Sequence, residues 1–131
     1  MEKKLQDRLY KKYPKIFRQH KLPLTETAMC WGISCGPGWF FLIDQLCSAL
    51  QFDIDKNKEP QIEAIQVKEK FGGLRFYTNG ATDRQDGMID LACEMSNSIC
   101  EECGSTEKVT QSKGWIRTRC ASCRKKAKEK K

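Results

Sequence analysis

The sequence predicts an α+β fold: helices packed on a β-hairpin or small antiparallel sheet, closed at the C-terminal end by a four-cysteine zinc ribbon. Three observations carry that expectation. An apolar stripe with helical period runs from Trp39 to Leu50, a strand–glycine turn–strand pattern runs from Ile62 to Thr78, and two Cys-x2-Cys pairs lie near the end of the chain.

In the first element, Trp39, Leu42, Ile43, Leu46 and Leu50 recur at i, i+3, i+4, i+7 and i+11, which gathers them on one helix face and leaves Asp44, Gln45 and Ser48 toward water. Residues 21–38 before it show no sustained period and end in Cys35-Gly36-Pro37-Gly38, which reads as a loop turning into the helix. Farther upstream, Leu5, Leu9 and Tyr10 ahead of Pro14 predict a short helix over residues 2–13. After the central helix, residues 51–60 are rich in Asp, Lys and Asn and read as a polar connector.

The hairpin follows. With Gly72 and Gly73 as the two loop residues, Phe71 would face Leu74, Glu69 would face Phe76 and Val67 would face Thr78. The opposite face would pair Lys70 with Arg75 and Lys68 with Tyr77, a cationic surface with an aromatic among the charges. A second helix is expected from about Asp83 to Ser98, capped by Thr82 or Asp83, with Met88, Leu91, Ala92, Met95 and Ile99 buried. Asp83, Asp86, Asp90 and Glu94 would then line one exposed side. Lys68, Lys70, Arg75 and Tyr77, together with Asp83, Asp86, Asp90 and Glu94, are the candidate partner-binding residues. For each set the alternative is an ordinary solvated face.

The strongest chemical signal is Cys100-x2-Cys103, sixteen intervening residues, and Cys120-x2-Cys123. Each two-residue spacer lets both sulfurs converge on one ion, and Gly104 relieves the tight turn that convergence demands. One structural Zn²⁺ held by Cys100, Cys103, Cys120 and Cys123 is therefore expected. Val109-Thr110-Gln111 and Trp115-Ile116-Arg117 would form a hairpin between the pairs. Glu101 and Glu102, beside the thiolates, are expected in solvent. Cys30, Cys35, Cys47 and Cys93 follow no ligand spacing, and packing as small hydrophobes accounts for them better than a second metal site.

Charge and composition exclude more than they specify. The net +7 sits at the ends: residues 1–21 carry +6 and residues 124–131 carry +5, while residues 22–123 carry −4. Both ends read as solvated termini, one a basic helix and the other a basic tail. Four thiolates against one Zn²⁺ add a further −2 to the middle, which weakens a simple nucleic-acid reading. Enzymatic chemistry is not expected. A four-thiolate zinc has no open coordination position, His20 is the one histidine and lies in a cationic segment expected to be mobile, and Gly36-Pro37-Gly38 lacks the Lys-Ser/Thr of a phosphate loop. No signal peptide or membrane span is visible, so the eight cysteines read as reduced, intracellular thiols in a single 131-residue domain.

Three blocks together carry a resemblance: Cys35-Gly36-Pro37-Gly38-Trp39-Phe40-Phe41-Leu42-Ile43-Asp44, Val67-Lys68-Glu69-Lys70-Phe71-Gly72-Gly73-Leu74-Arg75-Phe76-Tyr77, and the two cysteine pairs with Gly114-Trp115 between them. Over about residues 30–123 the chain resembles small phage and prophage zinc-ribbon-containing proteins, and among them the zinc-binding type II-A anti-CRISPR proteins. That resemblance implies a phage-encoded inhibitor of the type II-A RNA-guided DNA nuclease, acting in the cytoplasm of an infected or lysogenic bacterial host. The competing expectation is a zinc-ribbon phage regulator that binds DNA or RNA through Lys68, Lys70, Arg75 and the basic ends.

Overall fold

The computed structural model describes residues 1–129. Helix α1 (Lys3–Lys12) leads through short 3-10 turns to strand β1 (Ile33–Ser34) and helix α2 (Phe40–Asn57). Strands β2 (Glu63–Lys70) and β3 (Gly73–Asn79), helix α3 (Asp83–Ser96), strands β4 (Val109–Gln111) and β5 (Thr118–Cys120), and helix α4 (Ala121–Glu129) complete the chain. The architecture is α+β. One sheet has the order β1-β2-β3, parallel then antiparallel, and a two-stranded antiparallel sheet, β4-β5, lies between the cysteine pairs. Trp39, Ile43 and Leu50 pack with Val67, Leu74 and Phe76 of the sheet and with Ile89 and Ala92 of α3 in the main core.

The N-terminal segment is core, not a solvated end. Leu9, Ile16 and Phe17 are fully buried, and Phe17 meets Phe76 edge-on at 6.3 Å. Ala64 N–H donates to Ile16 O at 2.8 Å, joining the segment to β2. Asp44, expected in water, accepts from Tyr13 Oη at 2.7 Å and from Lys12 Nζ at 2.9 Å. His20, expected in a mobile stretch, stacks on Tyr10 with ring centroids 4.0 Å apart. The apolar spacing Leu9, Tyr13, Ile16, Phe17 runs across Pro14 and is diluted by the flanking lysines, which stay outside. At the other end, residues 124–129 of the expected basic tail continue α4, and residues 130–131 lie outside the described residues.

Within the expected 21–38 loop, β1 pairs Ile33 with Val67 and Ser34 with Lys68. Two strand residues are too few to leave a period. The expected connector 51–60 is helical as far as Asn57, because Asp53, a charge that reads as exposed, is buried with partners. Asn57 Nδ2 donates to its Oδ1 at 2.7 Å and Gln85 Nε2 to its Oδ2 at 3.1 Å, linking α2 to α3.

The hairpin turn sits one residue earlier than expected. Its loop is Phe71-Gly72, both with positive φ (54° and 80°), as a primed hairpin turn requires. The observed pairs are Lys70 with Gly73, Glu69 with Leu74, Lys68 with Arg75, Val67 with Phe76 and Gln66 with Tyr77. Each partner moves by two residues, so the strand side chains keep their predicted faces, while Phe71, expected opposite Leu74, lies in the turn and is exposed.

Helix α3 starts as expected, with a capping box in which Thr82 accepts from Gln85 N–H and Gln85 Oε1 accepts from Thr82 N–H. Its buried stripe differs: Gln85, Ile89, Ala92 and Ser96 face inward, while Leu91 and Met95 are 62% and 47% exposed. Gln85 and Ser96 can be buried because each is bonded, Ser96 Oγ accepting from Leu74 N–H at 2.8 Å.

Candidate metal centre

The sulfurs of Cys100, Cys103, Cys120 and Cys123 all lie within 4.8 Å of one another. A tetrahedron with metal–sulfur bonds of about 2.3 Å places its sulfurs about 3.8 Å apart, so this set is positioned for one ion. The Cys103 and Cys120 sulfurs are already at 3.6 Å. Two tight turns bring the sulfurs together. Gly104, at φ 82°, donates its N–H to Cys100 O at 2.9 Å, and Cys123 N–H points at Cys120 Sγ from 3.4 Å. Burial pushes the Cys100 thiol up, but backbone N–H groups of Cys120, Cys103 and Glu102 at its sulfur outweigh that and bring it down to about 7. The Cys103 and Cys123 thiols are instead raised, Cys123 by burial and by the adjoining sulfurs, so it is the charge of a bound ion that would hold all four as thiolates.

The strand between the pairs is displaced from its expected place. β4 is Val109–Gln111, but its partner is Thr118–Cys120 and not Trp115–Arg117, with Gln111 opposite Thr118. Trp115 therefore stands in the connecting loop, 77% exposed.

The two glycine-rich blocks of the sequence are the cradle in which this unit docks. Gly38 N–H donates to Glu101 O at 2.7 Å, Gly36 N–H to Glu101 Oε2 at 2.8 Å, and Trp39 Nε1 to Ile99 O at 2.9 Å. A Cβ on Gly38 would stand 2.1 Å from Cys100 O, and one on Gly36 would stand 2.3 Å from Glu101 O. On the other side, Thr118 Oγ1 donates to Gly72 O at 2.5 Å, and a Cβ on Gly72 would meet Ile116 Cγ2 at 2.5 Å. Gly36 and Gly38 need to be bare because backbone of Cys100 and Glu101 packs against them, whereas Gly72 faces side chains and is favoured by its φ of 80°. Glu101, expected in solvent, is buried as part of this contact, and burial raises its carboxyl against the opposing Gly36 N–H. Glu102 is exposed and pairs with Arg119 at 2.9 Å.

Cys30, Cys35, Cys47 and Cys93 join no such cluster among the described residues. Burial pushes the Cys35 thiol up to about 12 and that of fully buried Cys47 well above its usual value, so both stay as thiols and pack as hydrophobes.

Of the candidate partner-binding residues, the fold brings Arg75, Tyr77, Asp86 and Asp90 to one groove of about 420 Å³ between β3 and α3. Lys68, Lys70, Asp83 and Glu94 do not line it. Cations and carboxylates facing one groove offset each other's field, which removes much of the attraction a phosphate chain would feel there.

Hydrophobic periodicity misses another feature. The exposed Leu91 and Met95 lie on one side of α3, and Met95 joins Phe41 (71% exposed), Phe40, Ile99 and Cys103 around a largely apolar groove of about 530 Å³ beside the first cysteine pair. The signal was present in the sequence as adjacent Phe40 and Phe41, only one of which an inward stripe can use. Comparison with family models, curated proteins and solved structures finds no match to this chain.

Proposed function

We propose that the protein is a non-enzymatic, phage-encoded inhibitor that docks on the RNA-guided DNA nuclease of a type II-A CRISPR system and blocks it. The observation that carries a binding role is the apolar groove of Phe40, Phe41 and Met95, walled by the first cysteine pair. Large apolar side chains left outside a small domain that has room for a core mark a protein-contact surface. The three sequence blocks that resemble anti-CRISPR proteins supply the partner.

Zinc is the metal this donor set favours, because four thiolates in a closed tetrahedron suit Zn²⁺ and leave no position for substrate. Its role is structural: it locks the β4-β5 unit, a zinc ribbon in this reading, and so holds the wall of the groove formed by Cys103 and Gly104. The one histidine lies against Tyr10, on the N-terminal segment.

The test is a target-cleavage assay with guide-loaded nuclease and zinc-loaded protein, paired with a pull-down. Phe41→Ser with Met95→Ser should weaken inhibition at least about 10-fold while the unfolding midpoint holds, because exposed side chains contribute little to stability. Full inhibition by the double variant would reject the groove. Absence of a stable complex with the wild-type protein would reject the partner.

A further inference from the structure

We propose that a second groove of the cysteine module, between the β4-β5 loop and α4, binds a single-stranded nucleic acid. The groove, of about 410 Å³, is lined by Lys113, Trp115, Arg117, Arg119, Arg124 and Lys128, with no acidic residue among its lining. Its indole is 77% exposed, and the Arg117 guanidinium lies 5.6 Å from the ring centroid. An accessible aromatic flanked by cations is the combination that stacks a base while neutralising the phosphates on either side of it.

The parts are held in place before any ligand arrives. Ser112 closes the loop, donating from Oγ to Trp115 O at 2.9 Å and accepting from Arg117 N–H at 2.8 Å. Arg124 Nη2 donates to Thr110 O at 2.8 Å and Arg119 O at 3.3 Å, fixing the guanidinium to the strands through neutral partners that leave its charge intact. Among the described residues, Arg119 is paired with Glu102, whereas Lys113, Arg117, Arg124 and Lys128 form no ion pair. Residues 100–129 hold eight basic and four acidic side chains, so the module keeps a net positive charge even after a four-thiolate zinc contributes −2.

The geometry selects among polyanions. A duplex keeps its bases stacked inside, where Trp115 cannot reach them. An acidic peptide has no flat π-face to place on the indole. The lining cations and the bare indole meet phosphates and base faces, which single-stranded DNA and RNA share. This inference does not rest on the nuclease reading, since a naked oligonucleotide is the ligand.

The test is fluorescence anisotropy of end-labelled 15-mer oligothymidylate with the full-length, metal-loaded chain, from about 50 to 200 mM salt. Wild type should bind with a logarithmic salt slope near −3, from about −0.7 per neutralised phosphate at the four unpaired cations. Trp115→Ala should weaken binding about 10-fold, and Trp115→Phe should recover most of it. Lys113→Gln with Lys128→Gln should reduce the magnitude of the slope by about 1.4. Metal content measured on each variant confirms that the module is intact. No binding of the oligonucleotide, or equal binding by folded Trp115→Ala, would overturn the proposal. Tighter binding of a 15-base-pair duplex or polyglutamate would also overturn it, reassigning the groove to duplex or an acidic protein surface, while oligouridylate run in parallel assigns the strand to DNA or RNA.

Discussion

Replacing Gly38 with Ala tests whether the glycine blocks exist to seat the cysteine module. The new methyl would lie 2.1 Å from Cys100 O and 2.6 Å from the Glu101 carbonyl, both backbone atoms that no rotamer change can clear. Ordinary contact begins near 3.4 Å, so the module must retreat by roughly 1 Å or more. That displacement breaks the bonds from Gly38 N–H to Glu101 O, Gly36 N–H to Glu101 Oε2 and Trp39 Nε1 to Ile99 O. Two neutral bonds at about 1 kcal/mol each and one to a carboxylate at about 2 give a loss of about 4 kcal/mol. In urea unfolding with a slope of about 2 kcal/mol/M, the midpoint should fall by about 2 M. Metal stoichiometry should not change, because all four sulfurs belong to the module itself. Gly87→Ala is the matched control: it lies inside α3 with nothing within 4 Å of the added methyl, and should stabilise by about 0.5 to 1 kcal/mol. A Gly38→Ala protein within about 0.5 kcal/mol of wild type would refute the docking argument.

Chelating the metal should lower stability by about 3 to 4 kcal/mol, the linkage expected when metal stands at 100 to 1,000 times its dissociation constant, and should expose four more thiols to a colorimetric thiol reagent. An unchanged urea midpoint would contradict a structural metal. Thr82→Ala should cost about 1 kcal/mol through the lost cap and Thr82→Ser far less, read by the same unfolding curves. Asp44 supplies a pH test: burial raises its carboxyl, but the bonds from Lys12 and Tyr13 outweigh that and hold it below its usual value near 3.8. A depressed acid stabilises the fold above its unfolded pKa and loses that contribution as pH falls through the folded one, so wild type should lose stability from pH 4.5 downward more steeply than Asp44→Asn. Parallel acid limbs for the two proteins would reject it.

Much of the candidate site was legible in the chain. Ligand spacing is a local property, since a two-residue spacer brings two sulfurs together whatever the rest of the fold does, and the four metal-positioned cysteines were readable for that reason. The α2 stripe and the Thr82 cap were readable because they depend on periods and caps within one element. Misreadings fell where a polar group found a distant partner. Asp53 is buried against Gln85, Ser96 against Leu74 N–H and Glu101 against Gly36 N–H, and each reverses what hydropathy predicts. Turning Gln85 and Ser96 inward also turned Leu91 and Met95 outward, which creates part of the apolar surface beside the first cysteine pair.

The sequence by itself determined the α+β class, the main helices and hairpin, the sidedness of the strands and the four cysteines, all encoded in short-range spacing. Tertiary structure decided which glycines touch which backbone, which polar groups are satisfied when buried, and that Trp115 stands outside beside four cations with no ion-pair partner among the described residues. Those outcomes depend on hydrogen bonds and close contacts between residues up to 65 positions apart, as between Gly36 and Glu101, and no local pattern along the chain encodes such a meeting.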